Sequence, residues 1–266
     1  MKLICWNVNS IKQRIDHVQK LIKEENPDLI LFQETKTLEE KFPYQEFENY
    51  GYNINVVGQK TFNGVAIFSK YPIEEIVTKL PSYEIDDMDE QARYIEILIT
   101  VGQEIWRVIS AYIPNGQELG SEKFNYKLNF YRRLEQHLSN LATYDENIIL
   151  AGDFNVANED IDLYDKNKLN EAICCSHTER KAFRSLLSCD LNDSYRLKRP
   201  QQAAFSWWDY RGGSFAQNKG LRIDYILTNH KATDYLTNAD ILESYRKLEK
   251  PSDHAPIVAT FKTLDL

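Results

Sequence analysis

The 266-residue chain has no apolar run long enough to span a bilayer. Leu3-Ile4-Cys5-Trp6 is preceded by no basic leader, apolar stretch or cleavage site. These absences argue against a helical membrane span and lead to the expectation of a soluble, cytoplasmic protein with no membrane partner. Cysteine is scarce: Cys5, Cys174, Cys175 and Cys189 show no paired CxxC spacing, and the adjacent Cys174 and Cys175 are poorly placed to bridge each other. Free thiols are expected, and a structural zinc site is not. Neither a Pro/Ser-rich linker, a low-complexity tract nor a close repeat divides the chain. With 42% hydrophobic residues, one domain over 1–266 can bury a substantial core. Positive charge is also in deficit. A formal net charge of -8 argues against a protein that coats nucleic acid non-specifically.

That deficit is uneven. From Tyr195 to Arg222 six basic residues (Arg196, Lys198, Arg199, Arg211, Lys219, Arg222) face Asp209 alone, so six minus one leaves five positive charges for an anionic partner. Along the chain, 3–8 reads as a strand and 11–24 as an amphipathic helix with Ile11, Ile15, Val18, Leu21 and Ile22 on one face, ended by Pro27. Short runs at 29–32, 53–57, 65–69, 73–78, 94–101 and 105–112 read as further strands. A long helix over 121–142 carries Phe124, Leu128, Tyr131, Leu134 and Leu138 at helical spacing, and a strand at 148–151 follows. A loop-rich stretch over 157–176 then leads to a helix at 178–187, whose start, Ser176 or Thr178 ahead of Glu179, has capping character. Strands at 223–228 and 257–261 close the chain. Helices falling between groups of strands predict two packed sheets with helices outside, a four-layer α/β/β/α sandwich.

Polar residues recur where these apolar runs end: Asn7 with Asn9, Glu34, Tyr112 with Asn115, Asp153 with Asn155, Asp224, and Asp253 with His254. A lone Asp-x-Asn after a strand is ordinarily a cap or turn. Six such clusters beside buried runs, where an unpaired carboxylate is costly, point instead to one shared site. Oxygen donors without clustered cysteine and histidine suit a hard ion such as magnesium, and a metal-assisted reaction on a phosphate is the natural chemistry.

The motifs Trp6-Asn7-Val8-Asn9-Ser10-Ile11, Gln33-Glu34-Thr35-Lys36, Ala111-Tyr112-Ile113-Pro114-Asn115-Gly116, Gly152-Asp153-Phe154-Asn155, Ser206-Trp207-Trp208-Asp209-Tyr210-Arg211, Gly220-Leu221-Arg222-Ile223-Asp224-Tyr225 and Ser252-Asp253-His254-Ala255-Pro256 carry a resemblance in their order and spacing. From Lys2 to Phe261 the chain resembles the exonuclease III family of abasic-site endonucleases, within the endonuclease/exonuclease/phosphatase superfamily. The resemblance implies a site at one edge of the paired sheets. It implies Glu34 as principal Mg²⁺ ligand, with Asn7, Asn9 and Asp253 as further direct or water-mediated contacts and Mn²⁺ able to substitute. Position 9 is a carboxylate in some relatives, which makes Asn9 the weaker contact. Asp153 resembles the residue that orients and deprotonates the attacking water, and Asn155 a donor to phosphate oxygens. Asp224 and His254 resemble a pair in which the carboxylate fixes the imidazole, and Tyr112 a phenol at the phosphate or leaving oxygen. Trp207, Trp208, Arg211 and Arg222 resemble a loop that stacks on DNA and lines the pocket for the flipped-out sugar, and Lys127 fits a DNA-contacting pattern. Leu221 stands where some relatives have tryptophan.

By themselves His17, His137, His177 and His230 read as structural, and Lys123, Arg132 and Arg133 as part of a solvated helix face. The expected function is Mg²⁺-dependent cleavage of double-stranded DNA 5′ to abasic sites, with 3′ to 5′ exonuclease or 3′ end-cleaning activity, by a monomer. The first rival keeps fold and metal but acts on a phospholipid or inositol phosphate. A non-catalytic DNA-binding relative ranks last, because Glu34, Asp153, Asp224 and His254 are all present.

Overall fold

The computed structural model describes residues 1–82 and 90–263. Its central strand is β1 (Lys2–Asn7), in which Leu3 and Cys5 face one side, Ile4 and Trp6 the other, and all four are buried. A strand covered on both faces reads as an unbroken apolar run. β1 pairs in parallel with β2 (Leu29–Gln33) through α1 (Ile15–Glu25), whose Val18, Leu21 and Ile22 pack over Ile4 and Trp6. The helix expected from residue 11 is broken: Ile11–Gln13 forms a 3₁₀ turn, and the non-helical Arg14 separates it from α1.

The first sheet continues through β3 (Asn53–Val57), β4 (Val65–Ser69), β11 (Leu236–Ile241) and β12 (Ile257–Phe261) in the order β11-β12-β1-β2-β4-β3. The second contains β5 (Glu75–Val77), β6 (Tyr94–Val101), β7 (Glu104–Tyr112), β8 (Asn147–Asp153), β9 (Leu191–Asp193) and β10 (Asp224–Asn229) in the order β5-β6-β7-β8-β10-β9. Leu3, Cys5, Leu31, Ile97, Val108 and Ile149 fill the space between the sheets. The outer face of the second sheet is covered by α2 (Glu122–Leu141) and α4 (His177–Leu187), with Phe130, Leu134 and Phe183 against Ile109, Leu150 and Phe154. The four layers are those the sequence predicts. Short helices α3 (Lys166–Leu169), α5 (Ser194–Lys198) and α6 (His230–Thr233), and the strands β9 and β11, were not anticipated. All four cysteines are free. No helix among the described residues is long and apolar enough to cross a membrane.

Register sets the site. In the second sheet Tyr112 and Asp224 flank Asp153 as Cα partners, through a parallel and an antiparallel ladder respectively. In the first, Asn7 pairs with Gln33, and Glu34 follows. The strand expected over 148–151 runs on to Asp153 through Gly152. A Cβ there would lie 1.8 Å from the Ala111 carbonyl oxygen, and glycine is required by the close approach of β7.

Candidate active site

Five non-glycine residues around this sheet edge, Asn9, Ser10, Glu34, Lys36 and Asn155, have left-handed backbone. Each such residue costs on the order of 1–3 kcal/mol unless its surroundings impose it. Here they are imposed by bonds between segments, including Ser10 N–H to the Glu34 carbonyl at 2.8 Å and Lys36 N–H to the Asn63 carbonyl at 2.9 Å. Strain of this kind concentrates where side chains must be aimed.

The two sheets meet through Asn7. Its Nδ2 donates to Glu34 Oε1 at 2.8 Å and to Asp153 Oδ2 at 2.9 Å, while its oxygen accepts from the Asn9 N–H. Tyr112 makes a second cross-sheet contact, donating to Glu34 Oε1 at 2.9 Å. Burial pushes the Tyr112 phenol well above its usual range, and Glu34 and Asp153 add to this, so it is a proton donor at neutral pH. Burial also opposes ionisation of Glu34, but Lys36 Nζ at 2.8 Å and the Asn7 amide outweigh it, and the carboxyl is held below its usual range.

Asp153 is buried and has its acidity weakened. Burial raises its pKa to about 7, with His254 opposing and Asp224 adding to the rise. His254 Nε2 lies 3.7 Å from Asp153 Oδ2, and Nδ1 lies 2.9 Å from Asp224 Oδ2. Burial lowers the pKa of this imidazole, but Asp224 and Asp153 outweigh it and raise it to about 10, so it is a cation at neutral pH. Asp224 is fixed in turn by Ser206, whose hydroxyl donates to it at 2.5 Å and accepts from the backbone N–H groups of Ile223 and Asp224. Ser252 Oγ bonds the Asn7 carbonyl at 2.7 Å, joining the end of β1 to the segment carrying His254.

Among the described residues, Glu34, Asp153 and His254 are the group whose potential ligand atoms lie within 4.8 Å of one another. His254 has Nδ1 on Asp224 and Nε2 facing Asp153, which leaves the Glu34 and Asp153 carboxylate oxygens as the donors of this group, and these fit a hard divalent ion. The remaining residues expected near a metal stand differently. Asn7 turns its nitrogen, not its oxygen, toward Glu34 and Asp153. Asn9 accepts from Lys36 Nζ at 2.6 Å and donates to Asp253 at 2.8 Å. Asp253 also accepts from Trp207 Nε1 at 3.0 Å, and it lies outside the Glu34 cluster. Burial opposes its ionisation, but His254, Asn9 and Trp207 hold its pKa low.

Several expected DNA contacts are corrected by burial. Lys127 is fully buried, with its ammonium on the Asn115 and Asn155 carbonyls and on Glu179. Arg222 is 1% exposed and paired with Asp162 and Asp193. Trp208 is core, packed with Phe205, Phe215 and Ala255, and its Nε1 donates to Asn218. These three cannot reach a bound duplex without disrupting the core. Arg196 is likewise spent on Asp162, so the positive stretch counted along the chain is largely neutralised in space. Arg211 is exposed beside Asp209, and the half-buried Trp207 pairs with Leu221 and His254. Asn155 donates one amide N–H to the Ile113 carbonyl at 2.9 Å and accepts from Asn115 at 3.0 Å.

Ser206, Lys36, Arg14 and Tyr210 belong to the site without having been singled out. Ser206, Lys36 and Tyr210 lie inside motifs already quoted, and that was the available signal. Arg14 is buried and bonds the Asn9 carbonyl, the Pro251 carbonyl and the Tyr210 hydroxyl, tying the aromatic loop to the Asn9–Asp253 pair.

A family model described as the endonuclease/exonuclease/phosphatase family matches residues 4–254. The chain is 36% identical to exodeoxyribonuclease III of Haemophilus influenzae over 98% of this chain and 100% of that one. It is 32% identical to an exodeoxyribonuclease of Bacillus subtilis, over 97% and 98% of the two chains. Among solved structures it is similar to a 3′ phosphatase from Neisseria bound to a product DNA hairpin, with a TM-score of 0.93 and 38% identity over 98% of this chain and 99% of that one. An abasic-site endonuclease from Archaeoglobus fulgidus superposes with a TM-score of 0.91 and 34% identity, over 99% and 100% of the chains.

Proposed function

The chain belongs to the endonuclease/exonuclease/phosphatase family, and from that premise we propose that it is a DNA-repair phosphodiesterase cutting duplex DNA 5′ to abasic sites, with 3′ to 5′ exonuclease or 3′ end-cleaning activity. The observation that carries the chemistry is the line Asp153–His254–Asp224 facing Glu34 and Tyr112 across the sheets, with 3.7 Å between Asp153 Oδ2 and His254 Nε2. Asp153, whose pKa lies near neutrality, receives the proton of the attacking water. Oxygen–phosphorus bond formation is matched by loss of the bond to the 3′ oxygen, which takes its proton from the un-ionised Tyr112 or from solvent. His254, kept protonated by Asp224, lies where negative charge grows on the phosphate oxygens. The second amide N–H of Asn155 is free to donate to one of those oxygens.

Glu34 is the anchor proposed for Mg²⁺, with Mn²⁺ able to substitute, and Asp153 and Asp253 within the same acidic edge; Asn7 and Asn9 orient these carboxylates. When bound, such an ion would offset phosphate charge and act as a Lewis acid. The same proposal takes the protein as a cytoplasmic monomer acting directly on DNA, with Trp207 and Arg211 left to meet the strand after removal of Trp208, Lys127 and Arg222 from that role.

The test is incision of a labelled duplex with one abasic analogue, beside an intact duplex and phosphoinositide vesicles. Chelator is expected to abolish incision and Mg²⁺ to restore it, and Asp153→Asn to lower kcat by about 10²- to 10⁴-fold. Full activity of Asp153→Asn would remove Asp153 from the mechanism. Phosphate release from the vesicles with intact abasic DNA would transfer the assignment to lipid substrates.

A further inference from the structure

Gln33 opens the motif that carries Glu34 and has no part in the chemistry above. We propose that it is a positioning residue: with Ser110 and Cys5 it forms a polar bridge between the two sheets that fixes Glu34 and Tyr112 relative to each other. The role rests on the reaction assigned above.

Strand alternation shows what is unusual about this residue. Side chains two apart on a strand share a face. On β2, Leu29 and Leu31 point into the space between the sheets, as do Leu3 and Cys5 on β1 and Trp106 and Val108 on β7. Gln33 and Ser110 come next in the β2 and β7 series, and both are fully buried. An apolar residue would continue the packing at either position. A carboxamide sealed between apolar layers is unfavourable unless its polar atoms are bonded, and here they are. Gln33 Nε2 donates to Ser110 Oγ at 2.9 Å, and Gln33 Oε1 accepts from the Cys5 thiol at 3.5 Å. Burial, with Asp224 and Asp153 adding to it, pushes that thiol well above its usual range despite the Gln33 bond, so it keeps its proton and remains a donor.

Position gives the bridge its consequence. Gln33 is the last residue of β2, and the chain turns left-handed at Glu34 immediately after it. Its carbonyl accepts from the Val8 N–H at 3.0 Å, which closes the end of β1 onto β2. Ser110 lies two residues before Tyr112, and its Cα partner Ala151 lies two residues before Asp153. One layer nearer the sheet edge, Tyr112 donates to Glu34 Oε1 at 2.9 Å. The Gln33–Ser110 and Tyr112–Glu34 bonds are therefore consecutive rungs between the same two strands, the first sealed from water and the second at the reacting atoms. Apolar burial is non-directional, whereas a buried hydrogen bond fixes both a distance and an angle. The sealed rung holds the sheets at the spacing the outer rung needs when metal, substrate and water compete for Glu34 and Tyr112.

Ser110→Ala strands the carboxamide nitrogen, Gln33→Met removes it, and the double variant Gln33→Met/Ser110→Ala replaces both partners with apolar groups, which restores stability without restoring the bond. Ser110→Ala is expected to lower the urea midpoint and to reduce kcat on an abasic duplex about 10- to 100-fold with KM unchanged. Mn²⁺ binding, read by electron paramagnetic resonance, weakens to a similar extent. In the double variant the midpoint returns toward the parent value while kcat and Mn²⁺ affinity stay low. Gln33→Met is further expected to cost less kcat in a Tyr112→Phe background than in the parent, because both residues act through one contact. Recovery of kcat together with the midpoint in the double variant would make the bridge a packing element only and overturn the positioning role. Equal losses from Gln33→Met in the two backgrounds would do the same. Parent Mn²⁺ affinity in all three bridge variants would overturn it whether or not DNA is the substrate. Failure of the parent protein to cut any abasic duplex would instead overturn the assigned reaction, with the Mn²⁺ titrations still deciding the bridge.

Discussion

Asn7 ends a strand of one sheet and Asp153 a strand of the other, and 2.9 Å separates the amide nitrogen of the first from Oδ2 of the second. The same nitrogen reaches Glu34 at 2.8 Å, so one carboxamide holds the two carboxylates in a fixed relation across the interface between the sheets. Asn7→Ala is expected to lower kcat about 10- to 100-fold and to weaken metal binding to a similar extent, as loss of an orienting partner does. Mn²⁺ titration followed by electron paramagnetic resonance, together with kcat, checks this; parent metal affinity in the variant would contradict the orienting role.

Asp224 is expected to set the alkaline limit of activity. Burial lowers the His254 pKa and the two aspartates raise it, to about 10. Removing one of them in Asp224→Asn therefore shifts the alkaline limb of the kcat/KM profile to lower pH. The same group gives a stability signature. Its folded pKa is above its unfolded value near 6.5, so its contribution is fully present below pH 6.5 and is lost as pH rises through about 10. The metal-free protein should lose thermal stability over that window, and Asp224→Asn should lose less. An imidazole NMR titration in both proteins measures the shift directly; identical His254 titrations would refute it.

Lys127 acts on the fold. Its ammonium holds the Asn115 and Asn155 carbonyls and the Glu179 carboxylate, which also accepts from Cys174 and Ser176 backbone N–H groups. Lys127→Met strands a buried carboxylate, and a loss of about 3–5 kcal/mol is expected in denaturant unfolding. Adding Glu179→Gln should recover part of that loss. The salt dependence of DNA affinity should not change; a reduced slope would return Lys127 to the DNA.

Much of the fold was legible because the inner strands are buried on both faces. Leu29 to Phe32 and Ile148 to Ala151 are apolar without a break, and few structures other than a covered strand suit them. The strand β11 left no such mark. Its Thr237 and Asn238 are exposed, and only Leu236 and Ala239 are buried, so it is a strand because β12 supplies its hydrogen bonds. A capping start for α4 was readable from Ser176 or Thr178 ahead of Glu179, and the structure uses Ser176, whereas the ion pair between Glu179 and Lys127, 52 residues apart, was not readable.

The sequence by itself determined the layers and the strand ends that carry polar residues, Glu34, Asp153, Asp224 and His254 among them, because burial periodicity and motif order are local properties of the chain. Only the tertiary structure decided which charges remain available. Arg222 looks like Arg93 in sequence, but Asp162 and Asp193 neutralise the first in the interior, whereas among the described residues the second donates to uncharged acceptors beside an open cleft. Side-chain solvation and ion pairing depend on distances between segments far apart in the chain, and those distances exist only once the two sheets have packed.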